Sequence, residues 1–454
     1  ITLGASGDSI ALASGASQTG FGRTGTVDWQ TTTKTGDFTA VNGQGYFVDT
    51  TSGAVTMTMP SGSAGAIVSI QDYNKTFDDN NFTIAPASGE KINGGAADGV
   101  LIIATEGQGL TFVYVDGTVG WKTVHENEFI SGGSNFIAAT GGTVTCSGNC
   151  KIHTFTGPGT FCVSAVAACA ASNVVSYLIV GGGASGAAGG SNDGGGGGGA
   201  GGNREVKSPV TPFTASPLDG YPSSPNRVTV TSQAYPIVVG AGGASNTSGG
   251  SGVASEKGNP GSNSSFGGQT GTGGGGGGAA GGPGCAPSTK GESGGSGGGS
   301  GAYYSCAASS GNSPPTTPSQ GNNGGVSLSP GAPGYAGGGG GGAGAVGTNA
   351  QSGTSPPSAG NGGSGVGTEI NPAVGTPGPS GPLKYFAGGG GGGKHPGGYG
   401  DSTGGDGGGA PGSVVGGPSR NATDNTGGGG GGVGATNSSG SGGSGIVIIR
   451  YKFQ

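Results

Sequence analysis

Gly194-Gly-Gly-Gly-Gly-Gly199 returns four more times at the same length, as Gly273–Gly278, Gly337–Gly342, Gly388–Gly393 and Gly427–Gly432. A flexible linker has no reason to keep one length five times; short rods lying side by side do. Six residues in a polyproline-II-like helix cover about 19 Å at ~3.1 Å per residue, and such a helix makes no hydrogen bonds within itself. Its N–H and C=O groups all point outward, and without Cβ atoms neighbouring rods can approach until those groups pair. The runs therefore predict a packed lattice of polyglycine-II helices.

The competing reading is disorder, since the chain has 120 glycines and 26 prolines in 454 residues and such composition without a period usually signals it. Collagen is excluded because no Gly-X-Y register persists. Against disorder stand the equal runs, a charged fraction of only 8% where disordered regions lean on net charge, and the C-terminal Ile446-Val-Ile-Ile-Arg-Tyr-Lys-Phe453, which reads as a buried strand.

Energetics ask for a template. Fixing a backbone costs about 1–2 kcal/mol per residue, with glycine at the high end, whereas a hydrogen bond returns a net of about 0.5–1.5 kcal/mol. Glycine rods alone should not fold. The strand-like segments 143–146, 151–155, 160–165, 174–180, 227–231, 235–239 and 446–453 offer an apolar scaffold. Long glycine excursions would leave it after Val180 and Val239 and return at Ile446. The expected class is all-β plus polyglycine-II, with β-sandwich-like modules and a closing C-terminal strand. The expected organisation is a truncated β-repeat or shaft segment over 1–27, a β-domain over 28–128, scaffold strands over 129–180 completed by 203–240 and 446–454, and the glycine-rich body over 181–445.

Bulk properties narrow the function. A net charge of -6 gives no basic footprint, so nucleic acid is not expected as a partner. Apolar runs are far shorter than the ~20 residues of a membrane helix, so no membrane insertion is expected. The chain starts at Ile1, as a processed protein or a part of a longer one would. Six cysteines fall into the neighbouring pairs Cys146/Cys150, Cys162/Cys169 and Cys285/Cys306. Six cysteines allow 15 connectivities; disulfides are the favoured reading, free thiols the second. The spacing lacks the short zinc-ligand pattern.

Six stretches carry a resemblance. Asp28-Trp-Gln-Thr-Thr-Thr-Lys-Thr35, Gly45-Tyr-Phe-Val-Asp-Thr-Thr-Ser-Gly-Ala-Val-Thr56 and Leu110-Thr-Phe-Val-Tyr-Val-Asp-Gly-Thr-Val-Gly-Trp121 resemble a module of tail-fibre and other structural proteins of marine phages, including cyanophages. Lys151–Phe161, Tyr177–Gly183 and Gly442–Tyr451 look like the glycine-rich domain at the ends of such proteins. The resemblance implies a homotrimeric fibre on the virion surface, extracellular in its working life. Its implied partners are other tail or fibre proteins and a host surface glycan or outer-membrane protein. The six cysteines depart from the common pattern, so disulfides are not carried over.

Several motifs fail on their own chemistry. Gly181-x-Gly183-x-x-Gly186 mimics a dinucleotide fingerprint but no helix follows, and Gly388–Gly393 before Lys394 mimics a phosphate loop, but His395 stands where Ser or Thr must hold the metal. His125, His153 and His395 lie far apart in sequence and read as surface or strand residues. Asp78-Asp-Asn-Asn81 lacks the spaced ligand series of a calcium loop. The sequons at Asn246, Asn263, Asn421 and Asn437 are expected by chance in such a sequence. The acids of 181–445 are scattered, so the paired carboxylates of a glycan depolymerase are not evident. No catalytic constellation, cofactor or metal site is expected.

Recognition by loops is the remaining use. The connectors between consecutive runs are 73, 58, 45 and 33 residues long, more than turns require, and loops on a rigid scaffold are where binding residues concentrate. Tyr303, Tyr304, Tyr385, Phe386 and Tyr399 are the candidate receptor contacts, since aromatic faces suit sugars and protein surfaces alike. For Tyr335, Tyr385 and Phe386, which precede their runs, capping of the lattice ends is the alternative. The expected function is a non-enzymatic phage adhesin. A virion decoration or extracellular filament subunit is the second reading, and a cellular ice- or carbohydrate-binding surface protein the third.

Overall fold

A computed structural model describes residues 27–124, 136–167, 169–189, 193–246, 256–281, 285–302, 305–307, 309–327, 335–351, 358–394, 402–413, 420–434 and 438–454. The chain divides into two units, Ile1–Asn135 and Phe136–Gln454. Among the described residues both units are all-β, with no closed barrel and only short 3-10 turns as helix. The expected shaft segment over 1–27 lies outside the described residues but for Val27.

In the first unit the strands are β1 (Asp28–Lys34), β2 (Phe38–Thr39), β3 (Gln44–Val48), β4 (Val55–Thr58), β5 (Ile67–Asp72), β6 (Phe82–Ala85), β7 (Leu101–Ile103), β8 (Gly109–Tyr114) and β9 (Trp121–Val124). They form two sheets, β1-β3-β5-β8-β9 and β2-β4-β6-β7. Alternate residues face inward from each strand: Tyr46 and Val48, Val55 and Met57, Val68 and Ile70, Phe82 and Ile84, Leu110 and Phe112 all belong to one buried cluster. That is the period-two pattern of half-buried strands. The pairing adds what the alternation does not carry. β1, β3 and β5 run parallel, as do β2, β4 and β6. Parallel neighbours need a crossover, and here each crossover is itself a strand of the opposite sheet, so the chain coils rather than meanders.

The second unit holds β10 (Ala138–Thr140), β11 (Thr143–Ser147), β12 (Cys150–Phe155), β13 (Gly159–Ala165), β14 (Val174–Val180), β15 (Asn203–Val206), β16 (Val228–Thr229), β17 (Ala234–Ile237), β18 (Ser264–Phe266), β19 (Gln269–Gly271), β20 (Val366–Thr368), β21 (Thr376–Pro377), β22 (Lys384–Phe386) and β23 (Ile446–Lys452). The C-terminal β23 lies in the middle of its sheet, between β12 and β14, and Val180 pairs with Ile446. The chain thus leaves the sheet where it later re-enters it. One face of β23 packs with Phe155, Phe161, Tyr177 and Phe266, the other with Ile152, Leu178 and Phe386. A strand buried on both faces reads as a continuous apolar run, as Ile446–Ile449 does.

All five hexaglycine runs are buried throughout. Their backbone groups are bonded to other segments at every third residue. In the first run, Gly195, Gly198 and Gly201 donate to the carbonyls of Val433, Gly430 and Gly427 at 2.9 Å. Gly196, Gly199 and Gly202 donate to Gly278, Gly275 and Thr272, and Gly197 and Ala200 to Gly338 and Gly341. The carbonyls repeat the scheme. Gly196, Gly199 and Gly202 accept from Ala187, Ala184 and Gly181; Gly194, Gly197 and Ala200 from Ala302, Gly299 and Ser296; Gly195 and Gly198 from Gly393 and Gly390. Six segments therefore surround this run, five antiparallel to it and one parallel. A β-strand offers its groups to two neighbours in alternation; here successive residues turn to three directions. The Gly337–Gly342 run is likewise bonded to six segments, around residues 198, 298, 324, 346, 361 and 390.

Candidate functional site

The residues singled out from sequence fall in different places. Tyr303, Tyr304 and Tyr399 lie outside the described residues, as do His125, His395 and Asn437. Tyr385 and Phe386 sit in β22 with exposures of 9% and 0%. Phe386 packs into the cluster with Val366, Ile370 and Ile448. Neither presents a face to a receptor, which corrects their candidacy and fits the capping alternative: the sequence Tyr-Phe-Ala-Gly carries no sign of which side of the strand is covered.

The phosphate-loop look-alikes are closed by the same bonding that orders the glycines. Every N–H from Gly388 to Gly393 is donated inside the protein, to Gly407, Gly363, Gly198, Ala410, Gly360 and Gly195. Gly181, Gly183 and Gly186 likewise donate to Gly202, Gly443 and Gly440. A phosphate needs free N–H groups to cradle it, and none of these is free.

All six cysteines stand as free thiols; of the favoured pairs, Cys285 and Cys306 lie within hydrogen-bonding reach of each other, where burial and then the Cys285 thiol raise the pKa of Cys306. For Cys146 and Cys150 register opposes a bridge. Cys146 pairs with Lys151 and Cys150 with Ser147, so the two side chains point to opposite faces of the hairpin. Cys146, Cys162, Cys169 and Cys285 are exposed, Cys150 and Cys306 buried. Four thiols should react with an aromatic disulfide reagent in the native protein and two only after denaturation. Fewer than four native equivalents would mean that a bridge forms.

His153 is a core residue. It is fully buried, with Nδ1 donating to the Gly141 carbonyl at 2.7 Å and Nε2 accepting from the Tyr451 hydroxyl at 3.0 Å. Burial holds its pKa below the usual value, and Lys151 adds to this against the opposing Gly141 bond. The same desolvation lifts Tyr451 to about 12. Among the described residues no three of His, Cys, Asp and Glu gather to hold a metal ion.

A polar cluster lies where β15 meets the loop after it. Glu205 is buried, its carboxylate accepting from Ser216 N at 2.9 Å and from Thr368 Oγ1 at 2.6 Å. Desolvation, with a smaller push from Asp219, outweighs these bonds and raises its pKa to about 7. Beside it, Arg204 donates to Asn226 Oδ1 at 2.6 Å, and Asn203 has no partner for either side-chain polar atom. Sequence reading passes over this cluster because Asn203-Arg-Glu-Val206 carries no apolar alternation.

A cleft in the second unit opens between the segment 227–236 and the β18–β19 hairpin, with a volume of about 740 Å³. Gly267 and Gly268 turn the hairpin at φ of +56° and +82°, a conformation that favours glycine. Tyr235 forms one wall: it pairs with Phe161 across β13–β17, its ring lies 5.9 Å from that of Phe266, and its hydroxyl accepts from Thr231 N at 2.8 Å. Arg227 lies at the rim, with its guanidinium 4.3 Å from the Tyr221 ring and Nε donating to the Tyr221 carbonyl at 2.8 Å.

No curated protein matches the chain. A family model described as a glycine-rich domain matches residues 154–452. That span begins on β12, ends with β23 and takes in all five hexaglycine runs, so the chain belongs to the glycine-rich domain family.

Proposed function

We propose that this chain is a phage tail-fibre or receptor-binding protein, a non-enzymatic adhesin of the virion surface, whose glycine-rich body is a polyglycine-II lattice. The observation that carries the reading is the three-residue repeat of hydrogen bonds around the buried runs, with six segments about each of two runs. Threefold helices packed hexagonally would bond in that way, and strands would not. Such a body is stiff and nearly uncharged without an apolar interior. It fixes the ends of long connectors in space, and loops so held are suited to recognition. Homotrimer assembly, other fibre proteins and a host glycan or outer-membrane protein are the partners of this proposal.

Its test is adsorption. Purified chain should compete with virions for host cells, and Tyr303→Ala with Tyr304→Ala should lower that competition about tenfold with the melting curve unchanged. Unchanged competition would remove those tyrosines as contacts, and no competition by the native chain would remove the adhesin reading. One feature favours the carbohydrate-surface alternative. Trp29, Phe47 and Tyr73 line up across β1, β3 and the end of β5, with ring centroids 5.0 and 6.4 Å apart and Trp29 and Tyr73 exposed by 42% and 56%. A row of half-open rings suits the flat faces of sugars.

A further inference from the structure

We infer that the cleft beside Tyr235 is a binding site for an acidic saccharide, with Arg227 receiving its carboxylate or sulfate. The cleft, at about 740 Å³, is in the range of about 300–1,000 Å³ that holds small ligands. Its lining includes Thr229, Thr231, Gln233, Ser265 and Thr270, residues that carry hydroxyls and an amide, together with Tyr235 and the apolar Val228, Ala234 and Pro236. Neutral donors and acceptors around one aromatic ring match a sugar, which presents hydroxyls at its edges and C–H groups on its faces. Charge then selects the class. Among the described residues Arg227 is the only charged one of the lining, in a chain whose net charge is -6. Its Nε is used on Tyr221 and its guanidinium carbon lies 4.3 Å from the Tyr221 ring, which leaves the two terminal nitrogens without a hydrogen-bond partner among the described residues and available to a ligand. A guanidinium fixed in this way meets two oxygens of a carboxylate or sulfate with two parallel bonds and loses little freedom on binding. A single cation is too little for a nucleic-acid backbone, whose binding rests on several phosphates at once. No carboxylate lines the cleft among the described residues, and the proposal is one of binding without the pair of acids that glycoside cleavage uses.

The inference rests on the attachment reading only for its biological use, because it names the kind of surface ligand and uses residues other than Tyr303 and Tyr304. The test is calorimetric titration of the full chain with a galacturonic acid trisaccharide, a sulfated trisaccharide and the neutral galactose trisaccharide. The native chain should bind at least one acidic sugar ten times or more tightly than the neutral one, and Arg227→Gln should remove that preference. Should Arg227→Gln misfold, Thr270→Trp, at an exposed hairpin position, fills the cleft instead and should abolish binding. Equal binding of neutral and acidic sugars, full affinity in either folded variant, or no binding of any acidic sugar would overturn the assignment. Lost sugar binding with intact host adsorption removes the cleft and leaves the adhesin; intact sugar binding without adsorption does the reverse.

Discussion

Gly390→Ala should destabilise the second unit by about 3 kcal/mol, the upper end of what overpacking a close-packed interior costs, or prevent its folding. Gly390 donates to the Gly198 carbonyl and accepts from Gly340. A Cβ placed there would lie 2.0 Å from the carbonyl oxygen of Gly430. A side chain could swing away; this neighbour is backbone, fixed in turn by its own bonds to Gly198 and Ala184. The same clash awaits at Gly197, against Gly390. Gly157→Ala is the control, since an added Cβ there meets nothing within 4 Å, and should change stability by less than about 0.5 kcal/mol. Urea unfolding of the three variants checks this, and equal midpoints would show that the runs are not closely packed.

Glu205→Gln should abolish a pH dependence of stability worth about 3 kcal/mol in the native chain. The folded pKa of about 7 stands above the ordinary carboxyl value of 4.5. Between the two the folded state keeps a proton that the unfolded state has lost, so stability is complete below pH 4.5 and falls as pH rises through 7. The substituted amide would stay neutral throughout, and the Thr368 hydroxyl can turn to accept from it, since Thr214 O lies 3.3 Å from that hydroxyl. Unfolding measured at pH 5 and pH 8 should therefore differ in the native chain and far less in the variant. His153 acts in the opposite sense. Its lowered folded pKa makes its own contribution to stability fall as pH drops below 6.5, a change that Glu205→Gln should leave in place.

Much of the sheet is legible in the sequence because burial on both faces leaves a plain signature. Val174–Val180 and Ile446–Phe453 read as strands from their β-branched runs and are β14 and β23. β15 does not read as an apolar strand: Asn203, Arg204 and Glu205 are buried polar residues whose place is set by pairing with Val180, Ile179 and Leu178. The parallel coil of the first unit is not legible because alternation fixes which face a residue takes, not which strand lies beside it. Among the glycines the equal runs are visible, but much of the bonding involves segments that are not hexaglycine, such as Gly181–Ala188 and Gly291–Ala302. Ala184 and Ala187 stand three apart, both buried; in a threefold rod these share a row, and a row facing a gap tolerates a methyl group. Such rows look like ordinary low-complexity sequence. The Tyr235 cleft is invisible for a different reason, since its walls come from two segments, 227–236 and 265–270, and no local pattern joins them.

Amide hydrogen exchange over Gly194–Gly202 tests the central claim most directly. Each amide from Gly195 to Gly202 is bonded to a neighbouring segment at 2.7 to 3.0 Å inside a buried bundle. Those amides should exchange as slowly as those of β23, in the same unfolding event, whereas exchange within seconds at neutral pH while β23 stays protected would contradict it.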